Sequence, residues 1–168
     1  MTSLSLVSAH NNLGNPIDLA EEIVEANQWA HDRASDEELL VEIAGKWSDY
    51  RLLFLWQREI MALHFSCSFD MKVPKARRAA VLELLAAINE RLWLGHFDLV
   101  SDDLSPAFRQ GVLLRGSAGA SVEQLEDLVD ISVTECERFY PAFQLVVWGG
   151  KPAEEAIAAA MIEPLGEA

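Results

Sequence analysis

The chain has 168 residues, 51% of them hydrophobic and 24% charged, and its 27 acidic against 13 basic residues give a formal net charge of −14. That length suits one domain able to bury roughly 70% of its unfolded surface, and the composition is not that of a disordered chain. The acidic excess repels phosphate backbones and anionic lipid, which argues against nucleic acid and membrane as partners and favours basic ones.

Residues 1–14 are polar and aperiodic and read as a flexible lead-in, with residues 15–168 forming a single domain. They lack the basic start and apolar core of a signal peptide, and no apolar run reaches bilayer length, so a cytoplasmic location is expected. Cys67 and Cys136 are the only cysteines. So widely separated, they make neither a disulfide framework nor a zinc site and read as small core residues.

Asn15-Pro16 starts the first helix, Asn as cap and Pro at the first helical position, with Ile17, Ala20, Ile23 and Val24 as its buried stripe to about Asn27. The HDRASDEE stretch that follows reads as an exposed link. Glu38–Trp47 reads as a strand with Leu39, Val41, Ile43 and Trp47 on one face, and Ser48-Asp49 as a turn into a second strand, Tyr50–Gln57. The third, Ile60–Phe69, alternates cleanly: Met61, Leu63, Phe65, Cys67 and Phe69 against Ala62, His64, Ser66, Ser68 and Asp70. Connections this short require an antiparallel meander.

Pro74 opens a long helix over about 75–94, with Val81, Leu85, Ile88 and Leu92 at helical spacing and Gly95 ending it. His96–Val100 is the fourth strand and Phe108–Arg115 the fifth, separated by the turn-rich SDDLSP. Ser121 and Gln124 have capping-box spacing ahead of a stripe of Leu125, Leu128, Val129, Ser132, Cys136, Tyr140 and Phe143. Pro141 should kink or break this helix near Glu137, and Gly149-Gly150 should stop it. Lys151-Pro152 begins a last helix to about Ile162. The reading is an α+β fold with an antiparallel five-stranded sheet, ordered αβββαββα plus a C-terminal helix.

The residues that carry chemistry are sparse. His64 and Cys67 lie at odd spacing on a strand and face opposite ways; His96 and Asp98 share a strand face but read as a polar rim. No HxxxH, HExxH or cysteine-pair spacing points to a metal, and no glycine-rich loop between strand and helix points to a phosphate cofactor. Catalytic residues, metal and cofactor are therefore all assigned as none.

Two other features stand out. Lys72, Lys75, Arg77 and Arg78 cluster at a helix start, where positive charge opposes the dipole; the plain reading is a solvated turn, the sharper one a contact for an anion or acidic surface. Leu52, Phe54 and Trp56 occupy one face of the second strand, while Leu53 and Leu55, with Leu40 and Ala44 next door, make the other face apolar too. Either helices cover both faces, or one face meets a partner.

The stretches NPIDLAEEIVEANQW, FSCSFDMKVPKARR, LLAAINERLWLGHFDL and ERFYPAFQLVVWGGKPAEEA together resemble the YbjN family of bacterial sensory transduction regulators. The resemblance runs from Asn15 through nearly the whole chain and is most specific at NERLWLGHFD and RFYPAFQLVVWGG. It implies a twisted antiparallel sheet with helices, similar to type III secretion chaperones and usually dimeric, and it brings no catalytic residues. The expectation is a non-enzymatic cytoplasmic regulator or chaperone-like binding module: a homodimer taking a protein or peptide client at Leu40, Ala44, Leu53, Leu55, Lys75, Arg77 and Arg78. The alternative is a small-molecule sensor or small enzyme with a pocket between sheet and helices near His96, Asp98 and Tyr140.

Overall fold

The structure, a computed structural model, describes residues 14–162, so all of the lead-in but Gly14 lies outside the described residues. The elements are α1 (Pro16–Ala26), β1 (Ala30–Ser35), β2 (Glu38–Ala44), β3 (Asp49–Gln57), β4 (Ala62–Phe69), a 3-10 turn (Lys75–Arg77), α2 (Arg78–Asn89), β5 (His96–Val100), β6 (Ser105–Leu113), α3 (Val122–Val147) and α4 (Ala153–Ala160). The fold is α+β, with one antiparallel sheet in the order β1-β2-β3-β4-β6-β5. It has six strands where five were expected.

The additional strand is β1, cut from the HDRASDEE stretch that reads as a link. Its polarity is that of an edge strand, where charge discourages pairing with other chains. Arg33 also ties it down, reaching Asp18 at 2.9 Å and Glu21 at 2.8 Å on α1. The side chain of Asn15 accepts the Ile17 N–H at 3.0 Å, with Pro16 next in line, so α1 starts as its cap dictates.

The four helices share one side of the sheet: α3 packs on β4 and β6, α1 on β2 and β3, α2 on β5, and α4 lies against α2 and α3. Beneath them the strands bury alternate residues, Leu63, Phe65, Cys67 and Phe69 on β4 and Tyr50, Leu52, Phe54 and Trp56 on β3. An aromatic lattice joins the layers, with Phe97 edge-on to Phe108 and Phe139, and Phe69 edge-on to Tyr140 and Phe143.

Several boundaries depart from the sequence reading. β2 ends at Ala44, and Trp47 leaves the strand to stack on Tyr140 at 6.3 Å, half exposed. A tight turn takes its place, because Gly45 sits where a Cβ would come within 1.9 Å of the Tyr50 ring and 2.6 Å of a Glu137 oxygen. That oxygen accepts the Lys46 N–H at 2.6 Å and pins the hairpin to α3. The Tyr50 hydroxyl is buried with no hydrogen-bond partner among the described residues. Burial, then the Glu137 charge, raises its proton affinity far above the usual phenol range.

The long helix ends at Asn89 rather than at Gly95, because the Asn89 amide turns to the backbone of Phe97, accepting its N–H at 2.7 Å and donating to its carbonyl at 3.0 Å. Gly95 instead adopts a φ of +65° in the approach to β5, where a Cβ would strike the Phe108 ring at 2.2 Å. β6 starts at Ser105, earlier than Phe108; Pro106 fits because it pairs with β5 alone, before β4 joins at Ala107. Pro141 does not break α3. The helix runs unbroken to Val147, held by the burial of Phe139, Tyr140, Ala142 and Phe143 on both sides of the missing donor. Ser121 and Gln124 do form the capping box, and Gly150, at φ +64°, lets the chain turn away after Trp148.

Candidate functional site: the open sheet face

With the helices on one side, the other side of the sheet is open. Strand pairing fixes what lies there. One row reads Asp32, Leu40, Leu53, Ser66, Arg109 and His96 from β1 to β5, and the next reads Glu38, Leu55, His64 and Gly111. A third on the other side reads Glu42, Arg51, Ser68, Ala107 and Asp98. Leu40 is 39% exposed, and Leu53 and Leu55 are half-buried only by their neighbours on the same face. The face is thus divided: acidic residues Asp32, Glu38 and Glu42 over β1 and β2, a leucine centre, and a hydrogen-bonded polar group over β4, β6 and β5.

Arg109 organises the polar group. Its Nε donates to His64 Nε2 at 3.3 Å and its Nη1 to Asp98 Oδ2 at 3.0 Å. Desolvation by burial, followed by the charges of Arg109 and His96, lowers the proton affinity of His64, so the ring is neutral at pH 7 and serves as an acceptor. A depression of about 300 Å³ lies here, lined by Leu53, His64, Ser66, Asp98, Ala107 and Arg109. Ser66 lies on the same face two residues along β4 from His64, directly opposite Arg109. The group is suited to hold polar atoms of a bound segment beside the leucines.

Four of the sequence-derived candidates therefore belong to the same face: Leu40, Leu53 and Leu55 at its centre, and Ala44 exposed at the end of β2. Lys75, Arg77 and Arg78 do not join them, lying at the start of α2 in the helical layer. Arg77 is half-buried and donates from Nε and an Nη to the Val146 carbonyl at 3.1 and 2.6 Å, near the C-terminus of α3. Its charge thus meets the negative end of a neighbouring helix, which offsets its unfavourable place at its own helix start. Nor do the residues named for the alternative pocket meet: Asp98 faces the open side, whereas Tyr140 is buried on the covered side between Trp47 and Phe69.

Sequence reasoning missed the Arg109 group because its members come from three strands, and only the register joins them. It also missed a second site-like arrangement. Glu21, Glu25 and His31 bring ligand atoms within 4.8 Å of one another across α1 and β1. Arg33 already occupies Glu21 at 2.8 Å and supplies the positive charge there. In the connection from α2 to β5, Trp93 is 99% exposed and Leu94 53%. Leu94 borders a groove of about 190 Å³ between β6 and α3, lined also by Phe108, Val112, Leu128 and Ile131, with Asp127 at its rim. Among the described residues, no helix is long and apolar enough to cross a membrane.

No curated protein matches the chain. Among solved structures, the crystal structure of YbjN, a putative transcription regulator from E. coli, is similar at 13% identity, covering 71% of this chain and 90% of that one with a TM-score of 0.47. The sequence profile of the YbjN family, described as a putative bacterial sensory transduction regulator, matches residues 16–145, and the chain belongs to that family.

Proposed function

We propose that the protein is a non-enzymatic cytoplasmic regulator that works as a chaperone-like binding module, holding an extended, basic segment of a protein client on the open face of its sheet. The observation that carries this reading is the row Leu40, Leu53, Ser66, Arg109, left uncovered while α1, α2 and α3 pack on the opposite face. An extended segment presents alternate side chains to one side, which suits a leucine centre of this width. The acidic positions Asp32, Glu38 and Glu42, on a chain of net charge −14, favour basic residues in that segment. Membership in a family of regulators agrees with a role in binding.

A photo-crosslinking residue placed at Leu53 tests it against the same residue placed at Ala158, which is exposed on α4. The reading expects a reproducible protein adduct at position 53, weakened by high salt, and none at position 158. Equal labelling at both positions, or none at 53, would sink it.

A homodimer is a second reading, favoured by Trp93. A fully exposed indole next in sequence to Leu94, which borders an apolar groove, suits reciprocal insertion between two copies, and Asp127 among the groove's lining residues offers an acceptor for an indole N–H. Light scattering at micromolar concentration should give a dimer mass for the natural chain and a monomer mass for Trp93→Ser. A monomer mass for both removes this reading and leaves the sheet-face proposal standing.

A further inference from the structure

The chain's two cysteines lie 69 residues apart in sequence, one on β4 and one on α3, and the fold brings their sulfurs to 3.7 Å at the centre of the core. Both side chains have no exposure, and the Cys136 thiol also points at the Cys67 carbonyl, 3.8 Å away. Cys67 stands on β4, inside the six-stranded sheet, paired with Leu52 on one side and Phe108 on the other. Cys136 lies midway along the helix that covers that strand. The two thiols therefore meet where the sheet and its largest helix are joined, and α3 is otherwise attached to β4 by packing alone.

We infer that Cys67 and Cys136 form a redox-modification site, a dithiol that a hydroperoxide oxidises to an intramolecular disulfide fastening α3 to β4. The step balances. One cysteine, as thiolate, attacks the peroxide O–O bond and becomes a sulfenic acid, releasing water or an alcohol. The second sulfur then displaces the sulfenic oxygen, which leaves as water. The two cysteines are oxidised by two electrons, the peroxide is reduced by two, and the S–S bond replaces two S–H bonds.

The geometry makes the second step fast and the first slow. Sulfurs at van der Waals contact need only close by roughly 1.7 Å to bond, so a sulfenic acid on either one is trapped before further oxidation. Burial raises the Cys136 thiol well above its ordinary range, with the neighbouring Cys67 adding to the effect. The peroxide therefore reacts during local opening of the α3–β4 contact, and the rate reports how often that contact opens. Once formed, the disulfide is equally screened from small reductants, so the site behaves as a latch set by sustained oxidant exposure.

The test treats the folded, full-length protein with excess hydrogen peroxide and follows intact mass, peptide mapping and thermal melting. The site predicts a monomeric product lighter by two hydrogens, a single Cys67–Cys136 cross-linked peptide, and a melting temperature raised by roughly 5–15 °C for a loop of this length. Reduction with dithiothreitol after unfolding should restore both mass and melting point. Cys136→Ala should lose the cross-link and accumulate oxygen on Cys67, while its circular dichroism reports whether it stays folded; Cys67→Ala gives the reciprocal control. The inference is overturned if folded protein gains oxygen atoms in place of losing hydrogens. It is equally overturned if both thiols stay reduced in folded protein after exposure prolonged to about a hundred times that which fully oxidises the chain in guanidinium, or if the cross-linked form melts no higher than the reduced one.

Discussion

Two faces of one sheet, built from alternate residues of the same strands, have opposite fates here. Phe65 on β4 is fully buried under α3, whereas its neighbours His64 and Ser66 face solvent and line an open depression. On β3, Phe54 and Leu52 are core while Leu53 and Leu55 are half-covered only by each other's neighbourhood. Both faces look apolar at β3, yet only one is stabilised by helices. The difference teaches that apolar content on a strand does not say which side folds the protein and which side is left for a partner.

The sharpest way to break that comparison is to charge the covered side. Ile88 has no exposure and packs α2 onto the core, so Ile88→Asp should cost about 4 kcal/mol or more and abolish cooperative melting. Melting at the natural temperature would show that α2 is not part of the core. A milder pair reads the two faces directly. Phe65→Ala should cost about 3–5 kcal/mol by urea denaturation, and Leu53→Ala about 1 kcal/mol or less. Equal costs would mean that the open face carries folding energy and is not spare surface.

These two faces were only partly legible in the sequence. The period-two pattern of β4 and the stripes of α1, α2 and α3 were plain, because burial on one side writes itself into every second or every third to fourth residue. β1 was not legible, since an edge strand of AHDRAS buries almost nothing and has no pattern to show. Trp47 was misplaced because its apolarity fits a strand, while the turn is set by crowding around Gly45 that only tertiary packing creates. The contact between Cys67 and Cys136, and the Arg109 group, depend on register and layer packing, which spacing along the chain does not encode. The Leu40, Leu53 and Leu55 patch could be picked out, but not the side on which it would lie.

The sheet's two edges offer a second comparison at smaller energies. β1 guards its edge with charge, whereas β5 is closed by the Asn89 amide, which takes both the N–H and the carbonyl of Phe97. Asn89→Ala leaves that pair of backbone groups to water and should cost about 1–3 kcal/mol, with faster hydrogen exchange at the Phe97 amide. Unchanged exchange there would mean the edge does not rely on Asn89. Gly45→Ala tests the other crowded point, where the added methyl carbon meets the Tyr50 ring; overpacking should cost about 1–3 kcal/mol in melting experiments.

The smallest expected effect concerns protons on the open face. The folded chain holds the proton affinity of His64 below its ordinary value of 6.5, through burial and the facing charges of Arg109 and His96. Above that value His64 is neutral in both folded and unfolded chains and contributes nothing to the pH dependence. As pH falls below it, the unfolded chain takes up the proton first, so stability is lost until the folded ring is protonated as well. His64→Gln keeps an acceptor for Arg109 but removes the titration, so its urea midpoint should fall less than that of the natural chain between about pH 7.5 and about pH 5.5. Parallel profiles would mean that His64 protonates as freely in the fold as out of it. In that case Arg109 is not held against the ring, and the polar half of the open face is looser than its hydrogen bonds imply.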